Sequence, residues 1–120
     1  MPIALEGLRT VIYPAPDIHT ARRWWANLLG VEPYFDQPFY VGFKLDGYEL
    51  ALMQSLSPLD GALVYWGVSD VAHAVEVAIA AGSTEHTPVA EVGDGIVAAT
   101  VRTPSGTILG LISNPNLSFP

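Results

Sequence analysis

One pattern used twice constrains this chain more than any other feature. Residues 10–17 (TVIYPAPD) form a β-branched, aromatic run closed by an aspartate, and residues 63–70 (LVYWGVSD) repeat the form. Internal self-similarity of this kind means that one supersecondary unit is built and then built again. Each aspartate is followed by a segment that ends at a glycine, Asp17 to Gly30 and Asp70 to Gly82. Aspartate suits a helix start because its carboxylate accepts the free amides of the first turn, and glycine suits a helix end because it tolerates positive φ.

Between those signals the apolar residues fall at helical spacing. Ile18, Ala21, Trp24, Trp25, Leu28 and Leu29 recur in the first segment, and Val71, Ala74, Val75, Ala78 and Ile79 in the second. Both segments are expected to be helices of about three turns, each covering one face of a sheet. The pattern then becomes extended. Strands are expected at 32–35, 40–45 and 48–54 in the first half, and at 86–91, 96–102 and 107–113 in the second. Asp46-Gly47, Gly93-Asp94-Gly95 and Pro104-Ser105-Gly106 mark the turns. An Asp-Gly pair between alternating residues is a strong hairpin signal. Ten prolines and eleven glycines agree with many short strands.

The order strand, capped helix ending in Leu28-Leu29-Gly30, then three strands, all of it repeated, resembles the vicinal oxygen chelate superfamily of glyoxalases, bleomycin-resistance proteins and extradiol dioxygenases. Trp24-Trp25 before Leu28-Leu29-Gly30, and Thr103-Pro104-Ser105-Gly106 before the last strand, carry the likeness. It implies an α+β fold of two βαβββ modules that form a curved mixed sheet around a cleft, with the helices on the outer face. It also implies a single domain over residues 1–120, with module one at about 8–54 and module two at about 62–113.

In metal-dependent members of that superfamily the ligands, usually His and Glu, lie on the first and last strands of each module. Counting from the capping aspartates and turn glycines places Thr10, Ala51, Leu63 and Gly110 at those positions. None offers an imidazole or a carboxylate, the groups such a site needs. No metal and no other cofactor is therefore expected. If these four face the cleft, strand alternation brings Ile12, Glu49, Met53, Tyr65, Gly67, Ile108 and Ile112 to the same side. It sends Val11, Tyr13, Leu50, Leu52, Val64, Trp66, Val68, Leu109 and Leu111 beneath the helices.

The cleft side is then largely apolar with a few polar points, as small-molecule sites are. Residues 34–40 (YFDQPFY) add aromatics on an expected loop. Thr10, Tyr34, Phe35, Phe39, Tyr40, Glu49, Met53 and Tyr65 are the candidate ligand contacts, and no catalytic residue stands out. His19 and His73, in the first helical turns, are expected at the surface, whereas His86 opens a strand. Flat rings beside a carboxylate suit a small organic ligand, cationic or aromatic.

Composition narrows the function classes. The formal charge is −7, from twelve carboxylates against Arg9, Arg22, Arg23, Lys44 and Arg102. That leaves no basic footprint for nucleic acid. No segment reads as a membrane span or a secretory signal, so the expected location is cytoplasmic. Without cysteine there is no disulfide, thiolate ligand or thiol nucleophile. The resemblance points to a metal-independent binding protein of the bleomycin-resistance kind, a homodimer with two-fold symmetry. Two other readings are kept. One is a glyoxalase-like lyase, isomerase or dioxygenase with a non-standard metal site using Glu49 and His86. The other is a non-catalytic accessory subunit.

Overall fold

The structure, a computed structural model, describes residues 2–115. Contacts divide the described residues into two compact units: residues 10–63, and residues 2–9 together with residues 64–115. Each contains the strand–helix–three-strand order of the repeat. The first unit holds β1 (Leu8–Pro14, entering at residue 10), α1 (Ile18–Leu29), β2 (Phe35–Gln37), β3 (Tyr40–Leu45) and β4 (Tyr48–Met53). The second holds β5 (Leu63–Gly67, entering at residue 64), α2 (Val71–Ala80), β6 (Thr84–Glu91), β7 (Val97–Arg102) and β8 (Ile108–Ser113).

In the first unit the strands lie in the order β2-β3-β4-β1, with β1 parallel to β4 and the rest antiparallel. In the second the order is β5-β8-β7-β6, with β5 parallel to β8 and the rest antiparallel. Both units are thus mixed βαβββ sheets, and the fold class is α+β.

The helices begin and end where the caps require. The Asp17 carboxylate accepts from the backbone N–H of Thr20 at 3.3 Å, and from its hydroxyl at 2.8 Å. These bonds hold the Asp17 carboxyl below the ordinary carboxylate range. Asp70 likewise accepts from the N–H of His73 at 3.0 Å. Gly30 closes α1 in the left-handed region at φ 71°, a conformation that disfavours any residue with a Cβ. The Asp46-Gly47 turn has φ of 38° and 93°, the two positive angles of a hairpin turn that follows the sheet's twist.

Each helix covers one face of its own sheet. Beneath α1, Ile18 packs with Ala15, Val41, Phe43 and Leu52, and Trp25, Leu29 and Leu50 border the cluster. Tyr13 stacks on Trp25 with ring centroids 5.3 Å apart. Beneath α2, Val71, Ala74, Val75 and Ala78 meet Val68, Ala99, Val101 and Leu111.

Local expectations need correction in both units: Ile79, expected in the apolar stripe of α2, is 45% exposed and stands outside the cluster beneath that helix. Trp24 and Leu28 do not join the core: they are 58% and 61% exposed, because Trp25 and Leu29 already fill the sheet-facing stripe. The second strand is Phe35–Gln37 rather than 32–35, so residues 34–40 are not a loop but an edge strand and a tight turn at Pro38-Phe39. An edge strand needs partners on one side only, which lets two prolines flank it. Among the described residues no helix is long and apolar enough to cross a membrane.

Candidate functional site

The chemistry lies on the face of each sheet turned away from its helix. In the first unit, cross-strand pairing fixes that face row by row. Thr10 lies opposite Glu49, which lies opposite Lys44. Ile12, Ala51, Gly42 and Phe35 form the next row, and Pro14, Met53, Tyr40 and Gln37 the third. The register agrees with the alternation read from the sequence, and residues 11, 50 and 52 point the other way.

Glu49 is the centre of this face. It is 5% exposed and is the one charged residue in the buried set of the described residues. A buried carboxylate is costly unless hydrogen-bonded donors replace its water. Three hydroxyls do so. Thr10 donates to Oε1 at 3.1 Å, Tyr40 donates to Oε1 at 2.8 Å, and Tyr34 donates to Oε2. Hydrogen bonds to a charged group are the strong kind, each worth about 1.5–3 kcal/mol net.

Gly42 makes the arrangement possible. A Cβ there would collide with the Glu49 carboxylate and stand 3.0 Å from the Tyr34 ring. Burial, and then the carboxylate beside it, push the Tyr34 phenol well above its ordinary value near 10, so this group donates a proton in a hydrogen bond and does not act as a base.

Four of the sequence-predicted contacts therefore come together: Glu49, Thr10, Tyr34 and Tyr40. Phe35 stands beside them, its ring edge-on to Tyr40 with centroids 5.9 Å apart. Met53 is half-buried on the same face as the Cα partner of Tyr40, and Phe39 is exposed in the hairpin turn. Lys44 was missed. Its ammonium sits 5.7 Å from the centroid of the Tyr34 ring, a cation over an aromatic face. The alternation Tyr40, Gly42, Lys44 along β3 could have revealed both it and Gly42.

The remaining candidate, Tyr65, lies in the second unit. Its ring covers Gly110, where a Cβ would come within 2.7 Å of the ring and 2.6 Å of the Val64 carbonyl oxygen. Burial raises the Tyr65 phenol above its ordinary value. Thr100, the Cα partner of Gly110, is 1% exposed and bonded on several sides. Its hydroxyl accepts from the Thr87 N–H at 3.1 Å, lies 2.7 Å from the Thr87 hydroxyl and lies 2.9 Å from His86 Nδ1. A register shift in β6 brings His86 and Thr87 together at this point. The sequence gives no sign of such a bulge. His19 and His73 are exposed in the first turns of their helices.

A divalent ion, which the likeness would imply, needs donor atoms that these positions do not offer. Ala51 and Gly110 have no donor atom, and Leu63 has none. The Thr10 hydroxyl is already spent on Glu49, and that carboxylate on three hydroxyls. Among the described residues no three His, Asp or Glu side chains form a metal-sized group. This donor set does not fit a resident metal. A cavity of about 220 Å³ at the edge of α1 and β2 lies apart from this chemistry, beside the Arg22–Asp36 ion pair of 2.8 Å.

No protein-family profile matches the sequence, and no curated protein matches it. Solved structures do match. A variant of methylmalonyl-CoA epimerase from Streptomyces coelicolor, in complex with 2-nitronate-propionyl-CoA, superposes with a TM-score of 0.75 at 15% identity, covering 98% of this chain and 100% of that one. A Mn(II)-bound glyoxalase from Novosphingobium aromaticivorans gives 0.71 at 17% identity, over 98% of this chain and 42% of the other. A glyoxalase/bleomycin resistance protein/dioxygenase superfamily member from Vibrio splendidus 12B01 gives 0.64 at 20% identity, over 89% and 99%. At such identities the likeness establishes architecture, and chemistry has to be argued from the site.

Proposed function

We propose that this chain, which has the vicinal oxygen chelate fold, binds a small organic ligand without a resident metal ion, on the face of its first sheet turned away from α1. One observation carries the reading: a buried carboxylate, Glu49, is satisfied by hydroxyls and ringed by aromatic side chains. Three neutral donors stabilise its charge but do not cancel it, so the site attracts a cation or a strong hydrogen-bond donor. Tyr34, Phe35 and Phe39, all partly exposed, supply flat apolar surface for an aromatic ring. Thr10 and Tyr40 orient the carboxylate, and Met53 borders it.

The test is a titration with cationic aromatic compounds, followed by tryptophan fluorescence in the presence and absence of a chelator. Saturable binding that ignores the chelator and weakens at least tenfold in Glu49→Gln is expected. Binding that needs an added divalent ion would overturn the reading.

A homodimer belongs to the same proposal. Trp24 and Leu28, one helical turn apart and both more than half exposed, give a second copy apolar surface to cover. Light scattering at micromolar concentration should return twice the chain mass; a monomer mass would remove this part.

His86 favours a second reading, an enzyme of the lyase or isomerase kind. The buried Thr100 hydroxyl fixes Nδ1 and so orients Nε2 for proton transfer. Turnover of any ligand that is lost in His86→Gln would support it, and unchanged turnover would sink it.

A further inference from the structure

We propose that Tyr34 is a gate on Glu49: the ligand reaches the carboxylate by displacing the Tyr34 phenol from Oε2, and the group that displaces it is a protonated amine or amidine attached to an aromatic ring. This rests on the reading of Glu49 as the binding centre.

The two carboxylate oxygens are held unequally. Oε1 takes two hydroxyls, from Thr10 on β1 and Tyr40 on β3, both on strands paired directly with β4. Oε2 takes the Tyr34 phenol alone among the described residues. Tyr34 belongs to the connection between α1 and β2, and its side chain is the most exposed of the three, the residue being 52% exposed. Its backbone N–H is tied to the Gly42 carbonyl at 3.0 Å, so the phenol can leave by side-chain rotation with the main chain in place. Gly42 lies directly beneath, without a Cβ to block an incoming group.

The exchange is selective because of what Tyr34 already provides. A ligand hydroxyl would replace one neutral donor by another and gain nothing. A cationic N–H makes a stronger bond to a carboxylate than a phenol does, and so can drive the phenol out into water. The ring of Tyr34 already accepts one cation, the Lys44 ammonium, over its face. A ligand that carries its charge next to a flat ring would engage both Oε2 and the exposed aromatics.

The probe is benzamidinium, with benzyl alcohol as the neutral comparison, titrated by calorimetry. Wild type should bind benzamidinium and not benzyl alcohol. Tyr34→Phe keeps the ring and removes the competing hydroxyl, so it should bind benzamidinium roughly tenfold more tightly. Glu49→Gln should lose binding. If Tyr34→Phe binds no more tightly than wild type while Glu49→Gln still weakens binding, the gate is wrong and the Glu49 reading stands. If Glu49→Gln binds as well as wild type, or if neither wild type nor Tyr34→Phe binds at all, both fall. Should Tyr34→Phe fail to fold, the alkaline titration of Tyr34 in wild type decides. Saturating benzamidinium should bring it back towards the ordinary tyrosine value, and an unmoved titration would overturn the gate.

Discussion

The two units share one architecture but treat a buried polar group in opposite ways. In the first, the group is a charge, Glu49, and three hydroxyls from three separate segments are drawn to it. In the second, the groups are neutral. Thr100 and Thr87 bond each other reciprocally, each hydroxyl accepting the other's backbone N–H at 3.1 Å, and so close the bulge that β6 introduces. A neutral pair can satisfy itself locally, whereas a buried carboxylate needs donors from a distance.

The glycines sharpen that comparison and give the largest expected effects. A Cβ on Gly110 would press on the Val64 carbonyl, which is backbone and cannot yield, and on the Tyr65 ring. A Cβ on Gly42 meets only side-chain atoms, of Glu49 and Tyr34. Gly110→Ala should cost about 3 kcal/mol and Gly42→Ala about 1–2 kcal/mol, in the range for overpacking. Urea denaturation of both variants checks the order. Equal costs would mean that the Glu49 cage is as rigid as backbone.

Next in size are the hydroxyls. Tyr40→Phe removes a donor from a buried charge and should lower stability by about 2 kcal/mol, while Thr100→Val breaks a neutral network and should cost about 1 kcal/mol. The cost in Tyr40→Phe should shrink in a Glu49→Gln background, which a double-mutant cycle would measure. Additive effects would dissolve the cage.

The smallest effect is read in alkali. Both Tyr34 and Tyr65 have folded-state values raised above the unfolded one near 10, so each contributes stability that is complete below pH 10 and lost as pH rises towards its folded value. For Tyr34 the Glu49 carboxylate is part of the cause; for Tyr65 burial is the cause given. Spectrophotometric titration of Glu49→Gln should show the Tyr34 step moving down and the Tyr65 step unmoved.

Much of this molecule is written locally in the chain. The duplicated run into Asp17 and Asp70, the helix-closing Gly30 and the Asp46-Gly47 turn act within a few residues, and each is found where the sequence puts it. Alternation along β1 and β4 also assigned Thr10, Glu49 and Met53 to the correct face. What escaped is long-range or negative. Tyr34 meets Glu49 across 15 positions because Gly42 lacks a side chain, and an absent atom leaves no pattern. The β6 bulge beside Pro88 depends on the edge position of that strand, which topology sets and local sequence does not.

The central claim is that Glu49 works as a hydroxyl-held carboxylate and not as a metal ligand, and metal analysis tests it most directly. The purified protein would be incubated with manganese, zinc and nickel, dialysed, and assayed for bound ion by mass spectrometry. The prediction is no stoichiometric ion in wild type or in Glu49→Gln. One equivalent of tightly held metal that disappears in Glu49→Gln would contradict it.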